Sequence, residues 1–185
     1  PARLCIRVRL IWNSRRSGAV RKVILWTLAA AFLLGVFETA ILSHIRLLPV
    51  LPDLILILVV YIALHNGTIT GITAGFLSGL IFDFLSLAPM GLHSFVFTVL
   101  GFLYGLLYRK YNVRRFFFPL ILGISATFFK TGIIWILHVL FGQSIQVYDL
   151  LAVSFWIEVA ENALCTPPLF MLFGVFPIAF EIREL

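Results

Sequence analysis

A chain of 185 residues that is 62% hydrophobic and 12% charged, with a mean hydropathy of +1.09, is too apolar to fold as a globular domain in water. In a bilayer the same surfaces face hydrocarbon, and helices satisfy their own backbone polar groups. The net charge of +6 does not mark a nucleic-acid module, because the basic residues abut apolar segments and no soluble domain remains to carry a basic patch.

The first 22 residues hold seven basic side chains: Arg3, Arg7, Arg9, Arg15, Arg16, Arg21 and Lys22. This stretch reads as a cytoplasmic tail, either partly disordered or resting on an anionic leaflet, where each basic residue contributes about 1 kcal/mol. A first span follows over residues 23–43. It reads as a span rather than a signal peptide, being long enough to cross, lacking a small-residue cleavage site and preceding further spans. The second, over residues 53–64, is short for a hydrocarbon core that needs about 20 residues, which points to tilt or to shielding by neighbours. After the turn at His65-Asn66-Gly67 a third span covers residues 68–86, and after Ala88-Pro89 a fourth covers 91–108. Turns this tight make neighbours of successive helices. A fifth span covers 116–141 and is followed by a polar loop with Gln143, Ser144 and Gln146. A sixth runs from Asp149 to about Phe176, with a kink or break expected at Pro167-Pro168, since proline removes a donor and clashes with the preceding turn.

Six spans with both ends cytoplasmic place 12 of the 14 Lys and Arg residues on the inside, including Arg109, Lys110, Arg114, Arg115 and Arg183. Arg46 falls outside and Lys130 within a span. Such a partition is the usual determinant of orientation, although five spans would fit the charges almost as well. The expected organisation is a basic tail (1–22), a single all-α six-helix membrane domain (23–180) and a short cytoplasmic end (181–185). Cys5 and Cys165 form neither a disulfide framework nor a metal quartet and read as unpaired thiols.

The third span carries Gly67, Gly71, Gly75 and Gly79 four residues apart, making one smooth face. Gly101 and Gly105 repeat the spacing on the fourth span, and Ala31 with Gly35 offers a weaker version on the first. Helices in lipid gain little from apolar burial against one another and associate through close backbone approach. Packing within the bundle is the favoured use of this face, ahead of a partner contact.

Ionisable residues at membrane depth are costly and are candidates for function. They are Glu38, Asp83, Lys130, Glu158 and Glu161, with Asp53, His93 and His138 nearer span ends. At 1.5 Å per residue Lys130 lies about 21 Å along the fifth span, and Glu158 and Glu161 about 13 and 18 Å down the sixth, so Lys130 can meet one of the two glutamates; if it pairs with Glu161, losing Lys130 alone costs more than losing both. Glu158, Glu161 and Asn162 share one helical face. Glu38, Asp53, Asp83, His93 and His138 project toward the outer half, where they could line a shallow polar pocket. Three uses compete for this set: structural pairs, a docking surface for a membrane partner, and a ligand or proton path.

Catalytic constellations are poor. Gly75-Phe76-Leu77-Ser78-Gly79 lacks the first glycine of an intramembrane serine protease motif, no His-Glu-x-x-His is present, and there is no phosphate-cradling Walker loop. The expectation is a protein without catalytic, cofactor or metal residues.

The segment Leu51-Pro52-Asp53-Leu54-Ile55-Leu56, the glycine-spaced third span, Asp83-Phe84-Leu85-Ser86 and Pro89-Met90-Gly91-Leu92-His93 together resemble the MreD family, over residues 23–177. The resemblance implies a non-catalytic scaffold or regulator of the bacterial cell-shape machinery, the elongasome, in the cytoplasmic (inner) membrane. Its implied partners are an MreC-like single-span protein and, indirectly, RodA and a class B penicillin-binding protein, in support of lateral peptidoglycan synthesis. It also implies a fold similar to the substrate-binding subunits of energy-coupling-factor transporters. Pro52, Asp53, Gly71, Gly75, Gly79, Asp83, Pro89, Gly91 and His93 are the positions it marks for partner binding or helix packing. The alternative is a vitamin-binding subunit of such a transporter, with Glu38, Asp83, His93 and His138 in the ligand pocket; against it, the loops available to cap a pocket are short. A more distant alternative is a small proton-linked enzyme or transporter using Lys130 and Glu161.

Overall fold

The computed structural model describes the backbone of residues 2–41, 51–86, 89–108, 117–142 and 152–182, with side chains from residue 18 onward. Arg46, the basic stretch 109–115, the polar loop with Gln143, Ser144, Gln146 and Asp149, and Arg183 lie outside the described residues. Among the described residues there is helix and no strand: α1 (Ala2–Val36), a π-helical turn (Phe37–Ile41), α2 (Leu54–Asn66), α3 (Thr68–Leu85), α4 (Leu92–Gly105), α5 (Phe117–Phe141), α6 (Val153–Val175) and α7 (Pro177–Phe180).

Three stretches are long and apolar enough to cross a membrane: 18–40, Thr68–Leu85 and Phe117–Phe141. The sequence suggested six. Helices α2 and α4 fall short by length, at 13 and 14 residues. Helix α6 has the length, but Glu158, Glu161, Asn162 and two prolines lower its hydropathy.

Helix α2 is the axis of the bundle. Twelve of its 13 residues are buried, so it is apolar on every side because every side meets protein. Helices α1, α3, α4, α5 and α6 all pack against it. Its shortness follows: a helix enclosed by its neighbours has no lipid thickness to match.

Helix α1 buries Val23, Thr27, Ala31 and Gly35 at spacings of four, the π-helical turn continues that face with Glu38, and Leu25, Trp26, Phe32 and Leu33 are exposed on the opposite side. It extends back to Ala2 as one 35-residue helix, so the basic segment, expected to be partly disordered or to rest on an anionic leaflet, is helical and continuous with the apolar stretch.

The α3–α4 hairpin is built on glycine. A Cβ at Gly71 would meet the carbonyl oxygen of Gly101, one at Gly75 the carbonyl of Phe97, and one at Gly79 the backbone of His93 and Ser94; a Cβ at Gly105 would meet the backbone of Thr68. As the number on one helix rises, that on the other falls, which is an antiparallel register. The glycine face is therefore consumed by packing inside the chain. Gly67, at φ +86°, makes the one-residue connection between α2 and α3, a backbone conformation that suits glycine. Gly123 does for α5 and α6 what the hairpin glycines do for α3 and α4, facing the backbone of Asn162 and Ala163.

Of the kink or break expected at Pro167-Pro168, the break does not occur: α6 runs through both prolines to Val175 and stops where Pro177 begins α7.

Candidate functional site

Asp53 stands at the N-terminus of α2. Its side chain accepts a hydrogen bond from the Leu56 amide at 2.8 Å, so it caps the helix, and Pro52 beside it is buried. The second carboxylate oxygen of Asp53 accepts from Lys130 of α5 at 2.9 Å. Lys130 also donates to Glu158 Oε1 of α6 at 2.7 Å. Lys130 is 5% exposed, Asp53 4% and Glu158 1%, so three helices are fastened by one buried ammonium between two buried carboxylates. Of the two glutamates the sequence leaves open to Lys130, the pair forms with Glu158, one turn nearer the start of α6 than Glu161.

Neutral groups complete the cluster. Asn162 accepts from the Asp53 amide at 2.7 Å and donates to Thr127 Oγ1 at 3.0 Å, while Thr166 donates to the Asn162 carbonyl. Glu38, carried on the π-helical turn that ends α1, accepts from the Leu54 amide at 3.3 Å. Two carboxylates thus face the amides at the start of α2, the end of a helix that favours anions. A π turn often re-aims a side chain at a special position, and this one brings Glu38 to the cluster. One oxygen of Glu158 and one of Glu161 are buried without a hydrogen-bond partner among the described residues.

Asp83 belongs to a second group. From the end of α3 it accepts hydrogen bonds from the amides of Gly91, His93 and Ser94 at 3.0, 3.0 and 3.1 Å, from Ser94 Oγ at 2.8 Å, and contacts His93 Nδ1 at 2.9 Å. Gly91, at φ +93°, sets the entry to α4, and Pro89 beyond it is exposed. Asp83 therefore caps α4 from a neighbouring helix. The acidic and histidine side chains expected around one outer pocket are divided between these two groups, with His138 eight residues beyond Lys130 on α5. The gap lined by Leu56, Ile57, Val60, Leu122, Ala126 and Thr166 between α2, α5 and α6 is apolar and has no room for a water molecule.

The sequence reading missed a third group at the opposite end of α2. Asn66 donates to the Ile62 and Phe180 carbonyls at 3.0 and 2.7 Å and accepts from the Ile182 amide at 2.7 Å. Tyr61 donates to Glu181 at 2.9 Å, and His65 Nε2 lies 3.8 Å from the same carboxylate. The segment after α6 folds back and is tied to the end of the central helix. Asparagine before glycine reads as a turn, and nothing in the spacing announces a partner more than 100 residues away.

These arrangements hold helices in place. Among the described residues no group of three His, Cys, Asp or Glu side chains is set to hold a metal ion. No curated protein and no solved structure matches the chain significantly. A family model described as rod shape-determining protein MreD matches residues 20–176, a stretch that takes in the membrane part of α1, all of α2 to α6, the Lys130 cluster and the Asp83 cap. The chain belongs to the MreD family of rod shape-determining membrane proteins.

Proposed function

We propose that this protein is a non-catalytic membrane scaffold of the bacterial cell-shape machinery that binds an MreC-like single-span protein and through it supports lateral peptidoglycan synthesis by RodA and a class B penicillin-binding protein. The family match carries the reading. It is supported by the character of the interior, where Lys130, Asp53 and Asp83 are spent on neighbouring side chains and helix ends, and where the gap beside the central helix is apolar and too narrow for water. In this reading α1 to α6 all cross the inner membrane, both ends are cytoplasmic, and the short α2 and α4 cross under the cover of their neighbours. This reading expects an architecture similar to that of energy-coupling-factor substrate-binding subunits, without the vitamin.

The test is co-expression of the tagged chain with its MreC-like partner, purification in mild detergent, and identification of both proteins and small molecules. Recovery of the single-span partner at constant stoichiometry is expected. Recovery of transporter ATPase subunits or a stoichiometric vitamin, without the single-span partner, would overturn the reading.

A further inference from the structure

His65 lies in the last turn of α2, with its Nδ1 2.9 Å from the Tyr61 carbonyl oxygen. A carbonyl only accepts, so Nδ1 carries the proton of the neutral ring and Nε2 is left with a bare lone pair. That lone pair faces Glu181 Oε1 across 3.8 Å, an acceptor set against an acceptor and too far for a hydrogen bond. The same Oε1 accepts from the Tyr61 hydroxyl at 2.9 Å, and the Tyr61 ring stacks on His65 with centroids 4.0 Å apart. Glu181 is held beside the imidazole by its own backbone: the Phe180 carbonyl before it and the Ile182 amide after it are both bound to Asn66, the residue next to His65. The two side chains are 21% and 32% exposed, so protons reach them from water, which stands at the cytoplasmic end in the topology proposed above. Of the elements around them, α6 sets Phe170 against the ring and has no titratable group over residues 166–175, and α4 sets Tyr108 against Gly67. Helix α1, packed on α7, carries Arg21 and Lys22, both exposed, while α3 and α5 have no charged residue before Asp83 and Lys130. Among the described residues Glu181 is the acid that faces His65.

We infer that His65 and Glu181 form a proton-operated latch that fastens the segment after α6 to the end of the central helix. When the ring takes a proton, Nε2 becomes a donor and the facing pair becomes a charge-assisted hydrogen bond. The new cation also stands at a helix C-terminus, where the carbonyl ends favour it. When the ring is neutral, Glu181 keeps the Tyr61 hydroxyl and faces a lone pair, and the segment is held chiefly by Asn66. The hold therefore strengthens as pH falls and slackens as pH rises through the range in which histidines titrate, roughly pH 5 to 8.

The experiment measures hydrogen exchange of the Ile182 amide, corrected for its intrinsic rate, on the full chain in mild detergent at about pH 5.5 and about pH 8. Protection about threefold greater at the lower pH is expected, the scale of a partly exposed ion pair. His65→Gln should make protection equal at the two pH values, and Glu181→Gln, which still offers Tyr61 an acceptor, should shrink the difference. Equal protection at both pH values in the wild type, or a difference that survives either substitution undiminished, would overturn the latch. Nitrogen-15 spectra of the histidine-labelled chain form a second arm, with the His65 signal identified by its loss in His65→Gln. The Nδ1-protonated neutral ring is expected at the higher pH, and the Nε2-protonated form there would overturn the inference; this arm decides if Glu181→Gln fails to fold. Neither arm depends on a partner protein, so the partner reading stands or falls separately, by co-purification.

Discussion

Removing Lys130 should cost more than removing Lys130 and one of its acids together. The ammonium sits 2.9 Å from Asp53 Oδ2 and 2.7 Å from Glu158 Oε1, in a site where none of the three side chains is more than 7% exposed. Lys130→Met keeps the length and apolar stem while deleting the charge. Asp53 retains the Leu56 amide, but Glu158 loses its donor on Oε1 and already lacks one on Oε2. Breaking a buried pair by removing one partner costs about 3–5 kcal/mol, because the surviving charge is stranded. At about 1.4 kcal/mol per factor of ten, that lowers the folded-to-unfolded ratio by roughly two to more than three orders of magnitude. Glu158→Gln added to Lys130→Met removes the worse-placed of the two stranded charges and should restore about 0.5–3 kcal/mol, the usual range for directly coupled residues. The assay is a denaturant titration of the purified chain in mild detergent, followed by far-ultraviolet circular dichroism, on the wild type, both single variants and the double variant. If the double variant loses the sum of the two single losses, the residues do not pair and the clamp is refuted.

The glycine register offers a sharper geometric contrast. Gly75→Ala drives a Cβ into the Phe97 carbonyl, a backbone atom that cannot swing aside, and should cost about 1–3 kcal/mol, whereas Gly132→Ala, which meets nothing within 4 Å, should be neutral or slightly stabilising in the same titration. Asp83→Ala removes the acceptor for the Gly91, His93 and Ser94 amides and should cost about 1–3 kcal/mol, with faster hydrogen exchange at those amides and little change in α5. Asn66→Ala should release the Ile182 amide to exchange while leaving the Lys130 cluster protected; unchanged exchange at Ile182 would mean that the tie carries no weight.

The α3–α4 contact was legible because glycine spacing of four reports a face directly, and a face in lipid has few uses other than close approach. The short second span was legible as an anomaly, and its uniform apolarity was the sign that it is the enclosed helix. Depth along an axis was enough to bring Lys130 level with α6. It did not give rotation about the axis, which decides between Glu158 and Glu161, and it left Asp53 with the outer residues because a residue at a span end looks peripheral. It is central here because α2 starts inside the bundle. Asp83 was read as a pocket residue, yet a carboxylate eight residues before a glycine-led helix start can reach across a turn and cap it. The tie from Asn66 to Phe180 and Ile182 has no sequence signal, since both partners on the far side are backbone groups.

The central position of α2 has a consequence for how the protein is made. Asp53 leaves the ribosome 77 residues before Lys130 and 109 before Asn162, the groups that later bond to it. Through the synthesis of α3 and α4 the nascent α2 holds an acid with neither its counter-ion nor its asparagine, at the mouth of a helix too short to span unaided. Final closure waits for the last two long helices, and the residues after α6 then fasten the opposite end at Asn66. Assembly is thereby ordered from the rim inward: the innermost helix is among the first to be translated and the last to be enclosed.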